Sequence, residues 1–411
     1  MGPEKSYARG WVTVVLAAIL MLATLPGRTQ GLGLITEPLL RDLQLDRIAY
    51  AHMNLWATLI GAVVCIPFGS LLDRFGIRWT TATVVVLLGV VVWGMSVQTG
   101  RVVTLFLLIL ATRALGQSAL SVASITAVGK SFGQKVGMAM GVYSVLVGLF
   151  FAVAFTLVGG VVRAQGWRAA WSDVAIGLFV VAALVVLFLH TPADVAASDP
   201  TDPGSTTVDG LTLLDALRTP AFWIFAGSAS LFGLVSSGLG LFNEAVLAER
   251  GFDQRTYYAF LTFTSVMGLV GQLLCGWLTL RRSMQHLLGL GMFLYAVALA
   301  GFPFLRTLPQ LWTLGVLSGM SGGFITVLFF AIWSRAFGRA HLGWIQGAAQ
   351  MLTVLASAVG PLLFAACAEM YGSYMPALWT LAPVVVLLGV TALRVRLPKG
   401  EPSPSPVPEI A

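Results

Sequence analysis

The chain has 411 residues, of which 57% are hydrophobic and 10% charged, and its mean hydropathy is +0.88. A soluble protein needs roughly a quarter of its residues charged to cover its surface, so a soluble globular fold is excluded and an all-α integral membrane protein is expected. The net charge of +7 does not point to nucleic acid, because its basic residues are dispersed between long apolar segments.

A transmembrane helix needs roughly 20 apolar residues. Twelve spans are predicted, at 11–36, 50–72, 79–97, 103–128, 136–161, 172–190, 220–246, 256–280, 285–304, 309–333, 342–366 and 375–396. The first apolar run follows Lys5 and Arg9, but no small-x-small cleavage site comes after it, so a span is expected rather than a secretory signal. An even number of spans puts both termini on one side. That side carries fourteen Lys and Arg, including all four lysines, against eight on the other. Positive loops stay inside, so both termini are expected in the cytoplasm, with the chain multi-pass in a plasma or inner membrane.

The division expected is an N-terminal six-helix bundle (1–190), a cytoplasmic linker (191–219), a C-terminal six-helix bundle (220–397) and a disordered tail (398–411). Near the linker's end, Thr212-x-x-Asp215 is a capping signal for a short helix. Cys65, Cys275 and Cys367 fall inside apolar spans and read as small core residues. Gly27, Gly31, Gly315, Gly319 and Gly323 recur at four-residue spacing, which lets helix backbones pack closely. Gly360-Pro361 should bend the eleventh span.

Shifted by 207 residues, the chain falls on itself. Gly31 meets Gly238, Glu37 meets Glu244, Asp46 meets Asp253, Gly61 meets Gly268 and Gly69 meets Gly276. Two homologous hydrophobic halves are a transporter architecture.

Between spans two and three stands Gly69-Ser-Leu-Leu-Asp73-Arg74-Phe-Gly76-Ile-Arg78, and in span four Arg113-Ala-Leu-Gly116. These resemble the signature loop and second motif of the major facilitator superfamily (MFS). The resemblance implies two six-helix bundles, alternating access, and a gating role for Asp73, Arg74, Gly76 and Arg78. Asp73 would accept from the N-terminus of the eleventh helix or pair with Lys130 or Lys135. Pro26-Gly27-Arg28-Thr29-Gln30-Gly31, Gly166-Trp167-Arg168, Thr219-Pro-Ala-Phe222-Trp223 and Phe337-Gly338-Arg339 look like the oxalate–formate and monocarboxylate carrier branch. Carriers of that branch place a basic residue just after a proline of span one, where Arg28 follows Pro26 by two. The second half departs from the pattern. Its loop reads Gly276-Trp-Leu-Thr-Leu-Arg281-Arg282 without the aspartate, and spans eight and eleven lack the basic residues seen in that branch.

A charge at bilayer depth costs roughly 2.5–3.5 kcal/mol. Arg28 and Arg113 stand in spans, while the repeat offers Val235 and Ser318 opposite them. This asymmetric positive charge suits a carboxylate, which guanidinium binds with two parallel hydrogen bonds. The expected substrate contacts are Arg28, Arg113, Gln30 and Gln350, with pairing to Glu37 or a carbonyl open for Arg28 and a bracing role open for Arg113. Glu37 and Glu244, mirrored near span ends, read as outer-gate residues. Gln117, Gln272, Gln346, His52 and Asn54 are weaker candidates, and Trp167 and Trp171 read as an interfacial belt. No P-loop, metal-ligand spacing or nucleophile elbow occurs, so neither enzyme activity, metal nor cofactor is expected.

The expected function is a monomeric secondary or facilitative transporter of a small mono- or dicarboxylate. A proton or counter-anion is the candidate coupling partner and the bilayer is its solvent. The alternatives are an exporter of hydrophobic compounds and a non-transporting sensor.

Overall fold

The computed structural model describes residues 3–45, 47–99, 101–132, 135–189 and 210–398. Among these the chain is helical, with one isolated backbone bridge, Gly210 to Gly338. A bilayer has no water to satisfy N–H and C=O groups, so each span must close its own hydrogen bonds. Twelve helical segments are long and apolar enough to cross a membrane.

The first half contains α1 (Pro3–Leu22), α2 (Thr29–Asp42), α3 (Arg47–Val63), α4 (Cys65–Phe75), α5 (Ile77–Ser96), α6 (Val102–Thr112), α7 (Ser121–Ser131), α8 (Val136–Gln165) and α9 (Trp167–Phe188). The second contains α10 (Leu213–Leu217), α11 (Pro220–Ala248), α12 (Gln254–Leu278), α13 (Met284–Gly301), α14 (Leu308–Ala336), α15 (Leu342–Tyr371) and α16 (Met375–Arg394).

Capping chemistry fixes several starts. Thr212 accepts from the Asp215 amide at 3.2 Å, so the short helix expected there is α10. Thr219 accepts from the Phe222 amide at 3.3 Å ahead of Pro220, and Asp253 from Thr256 at 2.9 Å. Gln310 accepts from the Thr307 amide at 3.2 Å to complete a capping box on α14.

Two expectations are corrected. Span one is not a single helix over 11–36: α1 ends at Leu22, a 3₁₀ turn covers Leu25–Gly27, and Arg28 is extended (φ −94°, ψ 151°) before α2 begins. Pro26 has no N–H to continue the ladder, and Gly27 is a weak helix former. Trp167 and Trp171 do not form an interfacial belt. Span six starts at Trp167, and the two rings are 4% and 0% exposed.

Packing divides the chain into two units. Unit one comprises Met1–Ser131, Val145–Asp209 and Ala340–Ala358; unit two comprises Phe132–Ser144, Gly210–Arg339 and Val359–Ala411. Both α8 and α15 are therefore shared. The division of α15 falls beside Gly360-Pro361, where proline removes a backbone donor.

In unit one, α5 packs on α9, with Gly89 receiving the Phe179 ring. In unit two, α12 packs on α14 through Gly315, Gly319 and Gly323. A Cβ on Gly319 would meet the Thr264 carbonyl at 2.5 Å and Met267 Cβ at 2.6 Å. Gly319→Ala should therefore destabilise the protein by about 1–3 kcal/mol, measured by thermal unfolding in detergent. All three cysteines are buried and free, as expected of core residues.

Candidate functional site

Unit one gathers three helix irregularities around Arg113, which is buried, and Arg28, which is half-buried. Span one breaks at Leu25–Gly27. Span two breaks at Val64, whose N–H reaches the Gly61 carbonyl at 3.2 Å, one residue short of the α-helical ladder. Span four winds as a π-helix over Arg113–Leu120, between α6 and α7. Such wide turns concentrate at functional positions.

Arg113 opens the π-helix and is 2% exposed. Past the break, the ladder of span one resumes with Leu32 N–H on the Arg28 carbonyl at 2.9 Å. The Gly27 carbonyl instead accepts from Arg113 Nη1 at 3.0 Å. The same nitrogen donates to Thr29 Oγ1 at 3.1 Å and Gln117 Oε1 at 2.9 Å, and Nη2 donates to Asn54 Oδ1 at 3.0 Å. Arg113 thus joins spans one, two and four. Glycines permit the approach: a Cβ on Gly27 would strike the Thr112 carbonyl, and one on Gly61 would lie 3.0 Å from Arg113 Cβ.

Arg28 is half-buried at the break itself. Its Nε donates to Thr24 Oγ1 at 2.6 Å, and its Nη2 to Ser121 Oγ at 3.2 Å and to the Met21 thioether. The guanidinium lies over the Phe151 ring, 5.5 Å from its centroid. Two guanidinium groups, hydroxyls, amides and one aromatic face form a cationic, hydrogen-bonding environment of the kind that holds an oxyanion.

The repeat is an internal control. The matching spans seven, eight and ten lie in α11, α12 and α14, which run unbroken for 29, 25 and 29 residues. Neither Val235 nor Ser318 supplies a charge. At these matched mid-span positions, charge and backbone irregularity therefore occur together in the first half and not in the second.

Of the other residues expected at the site, Gln30 on α2 is exposed and Gln350 on α15 is half-buried. Among the described residues, neither is hydrogen-bonded to the arginines. Glu37 and Glu244 lie on α2 and α11, but their side chains fall outside the described residues.

The end of α4 and the turn after it build a second constellation in unit one. Asp73 is 8% exposed and accepts from Lys130 Nζ at 2.6 Å, from the Gly343 amide at 3.2 Å and from the Trp344 amide at 3.1 Å. It therefore caps the positive end of α15. A Cβ on Gly343 would strike the Gly69 carbonyl, so glycine at both positions brings the two backbones together. Gly76 takes φ 81°, a left-handed conformation suited to glycine, between α4 and α5. Arg78 donates to the Val186 carbonyl of α9 and stacks on Trp79, while Arg74 is exposed over Phe75.

A sequence profile described as "Major Facilitator Superfamily" matches residues 16–308 and, in a second overlapping stretch, 244–411. The chain belongs to the major facilitator superfamily. It is a multi-pass membrane protein with the fold of a transporter that works by alternating access. Superfamily structures of similar fold include the human organic anion transporter MFSD10 (TETRAN), with TM-score 0.70 at 15% identity, covering 95% of this chain and all of that one. Another is FucP in the outward conformation, with TM-score 0.65 at 15% identity over 93% of this chain and 98% of that one. A third is an E. coli fucose:proton symporter FucP variant, with TM-score 0.68 at 13% identity over 92% and 97%. No curated protein sequence matches.

The superfamily's signature loop also exists in unit two, in altered form. Leu280 stands where Asp73 would, and Arg335 stands at the Lys130 position. Arg335 Nη1 donates to the Thr279 carbonyl at 3.0 Å, at the end of α12. Sequence reading missed Thr24, Thr29, Ser121 and Phe151 around the arginines. Isolated hydroxyls in apolar spans one and four were the available signal, and it is a weak one.

Proposed function

We propose that this chain is a secondary or facilitative carrier of a small organic anion, a mono- or short dicarboxylate, with Arg28 as the direct contact. The observation that carries this reading is the cationic break of span one. A half-buried guanidinium stands where the helix is interrupted and has no equivalent in the repeat. Arg113 adds positive potential and holds the break open, and Gln30 and Gln350 add neutral hydrogen bonds. Asp73, Arg74, Gly76 and Arg78 act as the inner gate, with Glu37 and Glu244 as outer-gate residues. A proton or counter-anion is the coupling partner. Both termini face the cytoplasm of a plasma or inner membrane, 191–219 links the two halves, and the protein acts as a monomer. The stretches at 26–31 and 166–168 resemble the oxalate–formate and monocarboxylate carrier branch, which agrees with this reading. The human organic anion transporter carries cargo of the same sign on the same fold, though at 15% identity it speaks to fold alone.

The test is thermal unfolding of the detergent-purified protein against short carboxylates, inorganic anions, sugars, amino acids and lipophilic cations. A ligand at a hundredfold excess over Kd stabilises by about 2.7 kcal/mol. Carboxylates alone should raise Tm, and Arg28→Ala should remove that response. A response to lipophilic cations with none to carboxylates would transfer the protein to the exporters. Ligand binding without flux in vesicles would make it a sensor.

A further inference from the structure

The 207-residue repeat pairs three places that each half brings together at the end opposite its own signature loop, that of Asp73 in the first half and of Leu280 in the second. Asp42 is opposite Glu249, Ser96 opposite Pro303, and Trp167-Arg168 opposite Tyr374-Met375. In unit one, Asp42 ends α2, and its Oδ2 accepts from Trp167 Nε1 at 3.1 Å and Arg168 Nε at 3.0 Å. Arg168 Nη1 also donates to the Ser96 carbonyl, the last of α5, at 2.9 Å, and its guanidinium lies over the Trp167 ring. Spans one, three and six are tied at one point.

In unit two, Glu249 caps the end of α11 and accepts from Ser373 Oγ at 2.8 Å and the Tyr374 amide at 3.1 Å, at the start of α16. Its neighbour Arg250 donates to the Pro303 carbonyl, just past α13, at 3.0 Å. Spans seven, nine and twelve are thus tied as well, through two adjacent residues at the end of span seven. The acidic residue and the accepting carbonyl keep their places in the repeat, but the arginine does not. It comes from span six in the first half (Arg168, opposite Met375) and from just past span seven in the second (Arg250, opposite Leu43). In the first half one guanidinium, Arg168, reaches the carboxylate and the helix-end carbonyl together, whereas in the second the two tasks are divided between the neighbours Glu249 and Arg250.

We propose that these are one repeated clamp, whose positioning residues Asp42, Arg168, Glu249 and Arg250 fix the far end of the first span of each half to that half's third and sixth spans. In unit one the clamp has a specific duty. The break at Leu25–Gly27 interrupts the helical ladder between α2 and α1, so the Asp42 end of α2 needs a tether of its own. The inference is independent of the cargo.

The repeat supplies an exacting test by transplanting the arginine. Hydrogen exchange and thermal unfolding are measured on the full chain in detergent. Arg168→Ala should speed exchange of the α2 amides roughly tenfold and lower Tm by about 2–4 °C, leaving α12 and α14 unchanged. Leu43→Arg in that background should restore both, because residue 43 would then reach the Ser96 carbonyl as Arg250 reaches Pro303. The mirror pair, Arg250→Ala with Met375→Arg, repeats the test on the end of α11 should the first variant fail to fold. Unchanged α2 exchange in Arg168→Ala, or a transplant that restores nothing in either half, overturns the proposal.

Discussion

Replacing Arg113 by alanine is expected to lower stability by about 3 kcal/mol, read by thermal or denaturant unfolding in detergent. Two effects oppose each other. Deleting a cation at bilayer depth relieves roughly 2.5–3.5 kcal/mol of insertion cost. Against that, the alanine leaves the Gly27 carbonyl, Thr29, Gln117 and Asn54 without the donor they share in the structure. Each charge-assisted bond is worth about 1.5–3 kcal/mol, so even at the low end the lost bonds win. Arg113→Lys should recover little, because an ammonium cannot reach the Gly27 carbonyl, Gln117 and Asn54 at once. Gln117 and Asn54 can turn toward water, but a backbone carbonyl at the Leu25–Gly27 break cannot, so the residual damage should concentrate there. Hydrogen exchange would then rise first at the N-terminus of α2. A variant as stable as the parent would mean that Arg113 braces nothing and is retained for its charge alone.

Much of this molecule was legible in the sequence. Span number followed from hydropathy, because a bilayer admits only long, self-satisfied apolar helices. The Thr212 cap was legible because capping is local chemistry. The family pattern led to the pairing of Asp73 with Lys130 and the first amides of the eleventh span, α15. The break of span one was not legible as such. Hydropathy counts side chains, and Leu25, Pro26 and Gly27 stay apolar while the backbone changes course. The π-helix at Arg113–Leu120 has no side-chain signature either. Trp167 and Trp171 were misplaced because span six was started five residues late, which moved two core rings to the membrane edge. The paired clamps lay one step beyond the repeat. Asp42 and Glu249 align, but the arginines come from unmatched positions in the two halves, and only geometry shows that Arg168 and Arg250 reach corresponding carbonyls, Ser96 and Pro303.

Asp73→Asn is expected to reduce transport turnover at least tenfold while changing ligand affinity by less than about threefold. The carboxylate uses both oxygens: Oδ1 for Lys130 and Gly343, Oδ2 for Trp344. Asparagine keeps the shape but replaces one acceptor with a donor, which must face either an ammonium or a helix amide, so the change does more than remove charge. The lost contact lies far along the chain from Arg28, and on the inner-gate role proposed for Asp73 it is made in only one state of the transport cycle. Removing it therefore shifts the populations of those states, tenfold for each ~1.4 kcal/mol, and leaves the intrinsic binding constant alone. A partly buried ion pair that also caps a helix is worth enough to produce that shift, since the dipole term alone reaches about 2 kcal/mol in favourable geometry. Leu280 provides the control, because it fills the same repeat position in unit two without a carboxylate. Leu280→Asn should leave flux and affinity at parental values. Equal losses of flux and affinity in Asp73→Asn would place the residue in the binding site rather than the gate. Unchanged flux would mean that the Asp73, Lys130 and α15 cluster is a static brace, with gating done elsewhere in the chain.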